Sequence, residues 1–219
     1  MKPVRTDALV VGGAGILAYS LLAYLSTATD LARSLPALGV VVALAPIVAV
    51  LAWMAWVSPR RVGALVLLLA GLALLAPVWP SLQRNFTWLY FLQHVGTNLF
   101  LAWFFGQSLI RERQPLCTRF ALAVRGGRIS TAEVVYSRQV TWVWTLFFVA
   151  IAGLSTLLFL FASIGTWSLF ANFLTLPLMA GLFVIEYLVR IRLLPESRHT
   201  RLLDGVTAYW HSTRGDSRR

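Results

Sequence analysis

Charge is what this chain has least of. Of its 219 residues only 12% are Asp, Glu, Lys or Arg, about half the share that ordinary soluble domains carry on their surfaces. That excludes a soluble globular enzyme and a disordered tail. Cysteine occurs once, at Cys117, so no intrachain disulfide can form and a disulfide scaffold is excluded too. The Cys and His spacings of metal sites are missing, as are paired carboxylates, HExxH, GxSxG and a glycine-rich phosphate loop. Neither a metal nor a cofactor is therefore expected. Lysine is almost absent as well, with Lys2 alone against 18 arginines.

What the chain does have is long uncharged stretches. Hydrophobic residues make up 58% of it, and its mean hydropathy is +0.75. A helix rising 1.5 Å per residue needs about 20 apolar residues to cross some 30 Å of hydrocarbon. Runs free of charge extend over 8–29, 34–59, 62–83, 85–110 and 139–185. The last is too long for one crossing and carries a turn signal at Ser163-Ile164-Gly165. The expected fold is an all-α, polytopic membrane protein, a six-helix transmembrane bundle with spans at 8–25, 35–57, 62–78, 86–110, 140–161 and 167–188. One transmembrane domain then covers 1–192, and 193–219 forms a basic tail. A β-barrel would need strands of alternating polarity, and 65–76 does not alternate.

Basic residues set the expected orientation. Seventeen fall on the side of the two termini, at Lys2, Arg5, Arg60, Arg61, the loop 111–139 and the segment after the sixth span. Arg33 and Arg84 alone fall on the other side. The positive-inside rule places both termini in the cytoplasm of an inner-membrane protein. The same partition accounts for the net charge of +11 without a nucleic-acid partner. Lys2 and Arg5 before an apolar stretch also fit a signal peptide, with Ala18-Tyr19-Ser20 as cleavage site, but the run is longer than a usual signal core. The lone thiol of Cys117 falls in the cytoplasmic loop. It can in principle carry an acyl group or act as a nucleophile, yet no base lies within sequence reach, and it reads as a spectator.

Polarity inside the spans is uneven. The first three are Ala, Leu, Val and Gly, with Pro46 as a kink and Ala14/Ala18 and Ala45/Ala49 at the four-residue spacing of close helix contacts; they read as lipid-facing scaffold. At 100° per residue, Gln93, His94, Thr97, Asn98, Gln107 and Ser108 share about half of the fourth span's circumference. Thr141, Thr145, Ser155 and Thr156 form a stripe on the fifth, with Arg138 beside them. Ser168, Asn172, Thr175 and Glu186 form one on the sixth, which Pro177 interrupts. Lipid has no partners for such groups, so the stripes are expected to turn inward as a polar groove lined by Gln93, Thr97, Thr141, Thr145, Asn172 and Glu186. Hydrogen-bonded glue between helices explains the hydroxyls. His94 with Asn98 one turn on reads equally as glue or as a catalytic or proton-handling pair, because imidazole titrates near neutrality. Glu186 precedes Arg190 by four residues and is expected to pair with it.

Between the fourth and fifth spans, Ser130-Thr131-Ala132-Glu133 matches a capping box, so a helix is expected to start there and continue into the fifth span. Residues 119–125 are expected to form a short surface helix. Arg111, Arg113, Arg119 and Arg138, with Arg190 beyond the sixth span, are candidate contacts to lipid phosphate.

The strings LQHVGTNLFLAWFFGQSL (92–109), PLCTRFA (115–121), YSRQVTWVWTLFF (136–148), WSLFANFLTLPL (167–178) and EYLVRIRLLP (186–195) resemble a family of bacterial inner-membrane proteins. Members are encoded beside aryl-polyene (xanthomonadin-type) and type II fatty-acid-like synthesis genes. The resemblance covers about half the chain, the half that holds the polar stripes, and implies a pathway rather than a reaction. It suggests an accessory component that holds or presents a lipid-like substrate, with membrane lipids and acyl-carrier or other pathway proteins as partners. Two alternatives are a small lipid or polyene transporter, for which no internal repeat is visible, and an acyltransferase with His94 as general base and Asn98 orienting the acyl carbonyl.

Overall fold

A computed structural model describes residues 6–29, 34–110, 114–127 and 129–194, with side chains from Gly12 onward. Every regular element among them is helical. In chain order these are α1 (Thr6–Ala28), α2 (Pro36–Val57), α3 (Arg61–Ala73), α4 (Trp79–Arg84), α5 (Phe86–Ile110), α6 (Leu116–Val124), α7 (Thr131–Phe161) and α8 (Ile164–Leu169). A π-helical turn (Phe170–Leu174) and α9 (Thr175–Leu193) complete the series. Arg111, Arg113 and the tail beyond 194 lie outside the described residues.

Three helices, Pro36–Val57, Thr131–Phe161 and the continuous Ile164–Leu193, are long and apolar enough to cross a membrane. Gly12–Ala28 and Arg61–Ala73 are apolar but shorter. α5 is 25 residues long, and its hydropathy is diluted by the polar stripe that includes Gln93, His94 and Asn98. The stretch expected to be helical over 62–78 stops early, at Ala73. Tighter i→i+3 bonds follow, such as Leu75 N to Leu72 O and Val78 N to Leu75 O, both 3.1–3.2 Å. Pro77 has no N–H to continue an α-helix, and Pro80 opens the next short helix in the first-turn position that tolerates it.

The chain forms two compact units. The first joins Met1–His94 to Ser155–Thr175, and the second joins Val95–Leu154 to Leu176–Arg219. In the first, α1 packs on α2, α8 and the π-turn, and α2 also packs on α3 and α4. The close contacts are not made by the expected alanines. Ala14, Ala18, Ala45 and Ala49 are exposed, whereas Ala23, Val40 and Ala43 are fully buried. Gly39 explains the shift, because a Cβ there would sit 2.6 Å from the Phe86 ring. Only glycine lets that ring lie against the α2 backbone.

The second unit is built on an aromatic core. Ala102, Trp144 and Phe148 are buried, with Phe105, Phe147, Val140, Met179 and Cys117 against them. Gly106 brings α5 close to α7, since a Cβ there would meet Thr145 Cγ2 at 3.3 Å. Besides these apolar cores, both units bury polar groups and expose large apolar ones. Thr141, Ser155 and Ser168 are wholly buried, while Trp53, Leu67 and Leu146 are among the most exposed large side chains. Polar groups inside and apolar groups outside is the arrangement that hydrocarbon favours.

Candidate functional site

The site in the first unit begins at a break in helical register. Ser163 caps α8 by accepting from Thr166 N at 3.1 Å. Seven residues after Ser163 the helix widens into the π-turn, where Thr175 N reaches the Phe170 carbonyl instead of the usual i−4 partner. The wide turn lies just upstream of Pro177, whose ring would collide with the Phe173 carbonyl in an unbroken α-helix. The Thr175 hydroxyl completes the turn by donating to the same Phe170 oxygen at 3.1 Å.

That donation fixes the imidazole of His94. Nε2 of His94 lies 3.1 Å from Thr175 Oγ1, and because the Thr175 proton is committed to Phe170, Nε2 must be the donor. In the neutral ring Nδ1 then accepts, and Ser155 Oγ stands 3.0 Å away to donate. Ser155 in turn accepts from Trp167 Nε1 at 3.0 Å. The result is one directed chain: Trp167 N–H to Ser155, Ser155 O–H to His94 Nδ1, His94 Nε2–H to Thr175, Thr175 O–H to the Phe170 carbonyl. The Phe170 ring also meets the imidazole edge-on, with centroids 6.0 Å apart.

A second chain in the same unit uses Asn172. Its Nδ2 donates to Ser168 Oγ at 3.1 Å and to Ser168 O at 3.0 Å. Ser168 Oγ lies 2.6 Å from Thr27 Oγ1, whose own proton goes to Ala23 O at 2.8 Å. Ser26 similarly donates to Ala23 O, at 3.0 Å, and accepts from Tyr90 O–H, also at 3.0 Å. The span read as featureless scaffold ends at Leu25, but α1 runs on to Ala28, and this last turn supplies Ser26 and Thr27 as buried hydrogen-bonding partners. An adjacent Ser-Thr pair at the end of an apolar run was the available signal.

The second unit holds the remaining polar residues. Thr141 is buried and accepts from Cys117 N at 3.3 Å while donating to Ser137 O at 2.9 Å. Thr145 donates to Thr141 O at 2.8 Å. Glu186 pairs with Arg190 Nη2 at 2.9 Å, the i,i+4 pair expected from the sequence, and Tyr136 O–H donates to the Glu186 carbonyl at 3.0 Å. Tyr136 was not singled out by sequence, because an aromatic ring reads as core. Arg190 is partly locked by this pair, and its Nε is buried without an acceptor. Asn98 is buried, whereas Thr97 is exposed and does not turn inward as the polar stripe predicts; Gln93, in the first unit, is half-buried. Arg119 and Arg138 are exposed.

Burial pushes the Cys117 thiol above its usual range, with Glu186 adding to the effect while the Thr141 hydrogen bond and Arg190 oppose it. A thiol held protonated is a poor nucleophile, which supports the spectator reading. Among the described residues no group of three His, Cys, Asp or Glu is placed to hold a metal.

No protein-family model matches the chain, and neither the curated proteins nor the solved structures provide a match.

Proposed function

We propose that this chain is a non-catalytic, multi-pass component of the bacterial inner membrane that serves an aryl-polyene or related acyl-lipid pathway. In this reading it crosses the bilayer six times with both termini cytoplasmic, and it holds or presents a lipid-like substrate at the cytoplasmic face. Acyl-carrier or other pathway proteins would meet it there.

The observation that carries the non-catalytic part is the state of His94. Both ring nitrogens are occupied by hydroxyls, 3.0 Å from Ser155 and 3.1 Å from Thr175. A general base needs a nitrogen within hydrogen-bond reach of its substrate's proton, and this imidazole has spent its acceptor on Ser155. It acts as a pin that holds the π-turn. The pathway rests on the resemblance of the five strings between 92 and 195.

The test is genetic and chemical. In a strain carrying the pathway, deletion of the gene is expected to lower polyene or acyl-lipid output, and a His94→Gln copy that still inserts is expected to restore it. Unchanged products after deletion would remove the pathway assignment. Failure of a folded His94→Gln protein to restore output would instead favour a proton-linked transporter or an acyltransferase. That second reading draws on one observation, the π-turn at Phe170–Leu174 beside His94, since such turns are frequent at functional sites.

A further inference from the structure

Helix α7 carries its own ruler for depth in the bilayer. Trp142 is exposed on α7, one turn after exposed Arg138. Tryptophan at headgroup level with arginine just beyond it is the usual signature of a membrane boundary. From Trp142 to the helix end at Phe161 there are 20 residues, about 30 Å at 1.5 Å each, which matches the hydrocarbon thickness. The start of α7, from Thr131 to Thr141, is then left outside the hydrocarbon.

Helix α6 is fastened to that protruding part. Cys117 N bonds Thr141 Oγ1 at 3.3 Å, and Thr118 Oγ1 bonds Ser137 Oγ at 2.8 Å. After α6, Arg125 pairs with Glu133 at 2.6 Å. Both ends of α6 are thus tied to α7 between Glu133 and Thr141. Its middle is level with Ser137, about 7.5 Å beyond Trp142 at 1.5 Å per residue, which is the outer edge of a headgroup layer about 5–7.5 Å thick on each side of the hydrocarbon. The turn after α6 is built to reverse the chain there. Gly126 and Gly127 have φ of 62° and 86°, and Gly127 N closes on Leu122 O at 2.8 Å.

Which face α6 leaves open matters most. Leu116 and Thr118 are buried, while Arg119, Phe120 and Ala123 are exposed on one arc, Phe120 at 53%. A phenylalanine beside an arginine is unfavourable facing water, but it fits an interface where the ring enters the acyl-carbonyl region and the guanidinium meets phosphate. Arg138, also exposed, directly follows Ser137, the α7 partner of Thr118.

Building on the membrane-spanning reading, we infer that α6 is an interfacial helix whose Arg119–Phe120–Ala123 face, together with Arg138, binds the phosphate headgroups of anionic bilayer lipid. Each basic residue near an anionic surface adds about a fivefold preference for it, so two arginines give the chain a selected lipid shell at this rim.

The full-length chain with Cys117→Ser is spin-labelled through Phe120→Cys, Val149→Cys or Ala132→Cys. It is then reconstituted in vesicles of equal parts phosphatidylcholine and phosphatidylglycerol. Val149 and Ala132 are both exposed on α7, one beyond Trp142 within the span and one near the helix start. The label at 149 is expected to be shielded from an aqueous nickel relaxant, that at 132 open to it, and that at 120 intermediate. In the unlabelled chain, Arg119→Ala with Arg138→Ala is expected to lower the boundary preference for spin-labelled phosphatidylglycerol over phosphatidylcholine at least about twofold. An open position 120 beside a shielded 149 would overturn the interfacial helix alone. An open 149 would overturn the spanning reading beneath it. A shielded 120 with unchanged lipid preference would overturn the headgroup contact.

Discussion

Thr175 Oγ1 lies 3.1 Å from His94 Nε2 and the same distance from the Phe170 carbonyl oxygen. One hydroxyl therefore closes a π-turn and orients an imidazole 81 residues away in sequence. The cost of a wide turn is offset locally, because the extra carbonyl capacity at Phe170 is filled by both the backbone and the side chain of Thr175. Removing either partner leaves a buried group unsatisfied, which costs more than the bond's net worth.

His94→Ala is accordingly expected to destabilise the protein by about 1–3 kcal/mol, and Thr175→Val by a similar amount. The double variant should cost less than the sum, with a coupling of about 0.5–2 kcal/mol. Reversible unfolding in mixed micelles provides the measurement. Strict additivity would mean that the two residues do not share a bond.

Gly39→Ala is expected to destabilise by about 1–3 kcal/mol, because its Cβ would meet the Phe86 ring at 2.6 Å. Phe86→Leu should recover part of the loss in the alanine background while costing stability on its own. Thermal unfolding of the four chains gives the comparison, and an unaffected Gly39→Ala chain would disprove the close approach of that ring.

Ser130 and Glu133 form the reciprocal capping box, Ser130 N to Glu133 Oε2 at 2.9 Å and Glu133 N to Ser130 Oγ at 3.3 Å. Ser130→Ala is expected to cost about 0.5–2 kcal/mol. Amide exchange should accelerate at the start of α7 and stay unchanged around Trp144. Glu133→Gln keeps both arms of the box, because the amide oxygen still accepts from Ser130 N, and loses the ion pair with Arg125, so it should fray the α6–α7 connection more than the helix start.

Much of this was readable from residue order, and the reasons are local. A capping box depends on four neighbouring residues, and an i,i+4 pair such as Glu186 and Arg190 depends on one helical turn. Asn98 and Ser108 on α5 and Thr141 and Ser155 on α7 are buried on the stripes that a 100° wheel draws, whereas Thr97, on the same α5 stripe, is exposed. The polar stripe of the sixth span was less faithful, because the π-turn inserts an extra residue and rotates everything after it. Thr175 pairs with His94 and Glu186 with Tyr136, which no uniform wheel predicts. Small-residue spacing picked the wrong alanines, since the glycine under an aromatic ring, Gly39 under Phe86, decides where helices touch. Trp167 as donor to Ser155 was invisible for a related reason: pattern reading files tryptophan under bulk, not under hydrogen bonding.

Cys117 supplies a pH-dependent readout. Its thiol pKa is raised, so less thiolate is present at any given pH than in a free cysteine. Alkylation by iodoacetamide at mildly alkaline pH is expected to be slower than for glutathione, and to rise as pH increases through the elevated pKa. The Thr141→Val chain loses the hydroxyl that partly counters this shift and should react more slowly still. Rapid modification near neutral pH would show an activated cysteine and reopen a nucleophilic role.

The most direct test of the pinned imidazole is nitrogen-15 NMR of the full-length chain, labelled on histidine, in lipid bilayers, with the His94 signals assigned by comparison with His94→Gln. The account predicts a neutral ring at neutral pH, protonated at Nε2 and bare but hydrogen-bonded at Nδ1, with the Nδ1 resonance shifting in Ser155→Ala. A ring carrying its proton on Nδ1, or on both nitrogens, would contradict it.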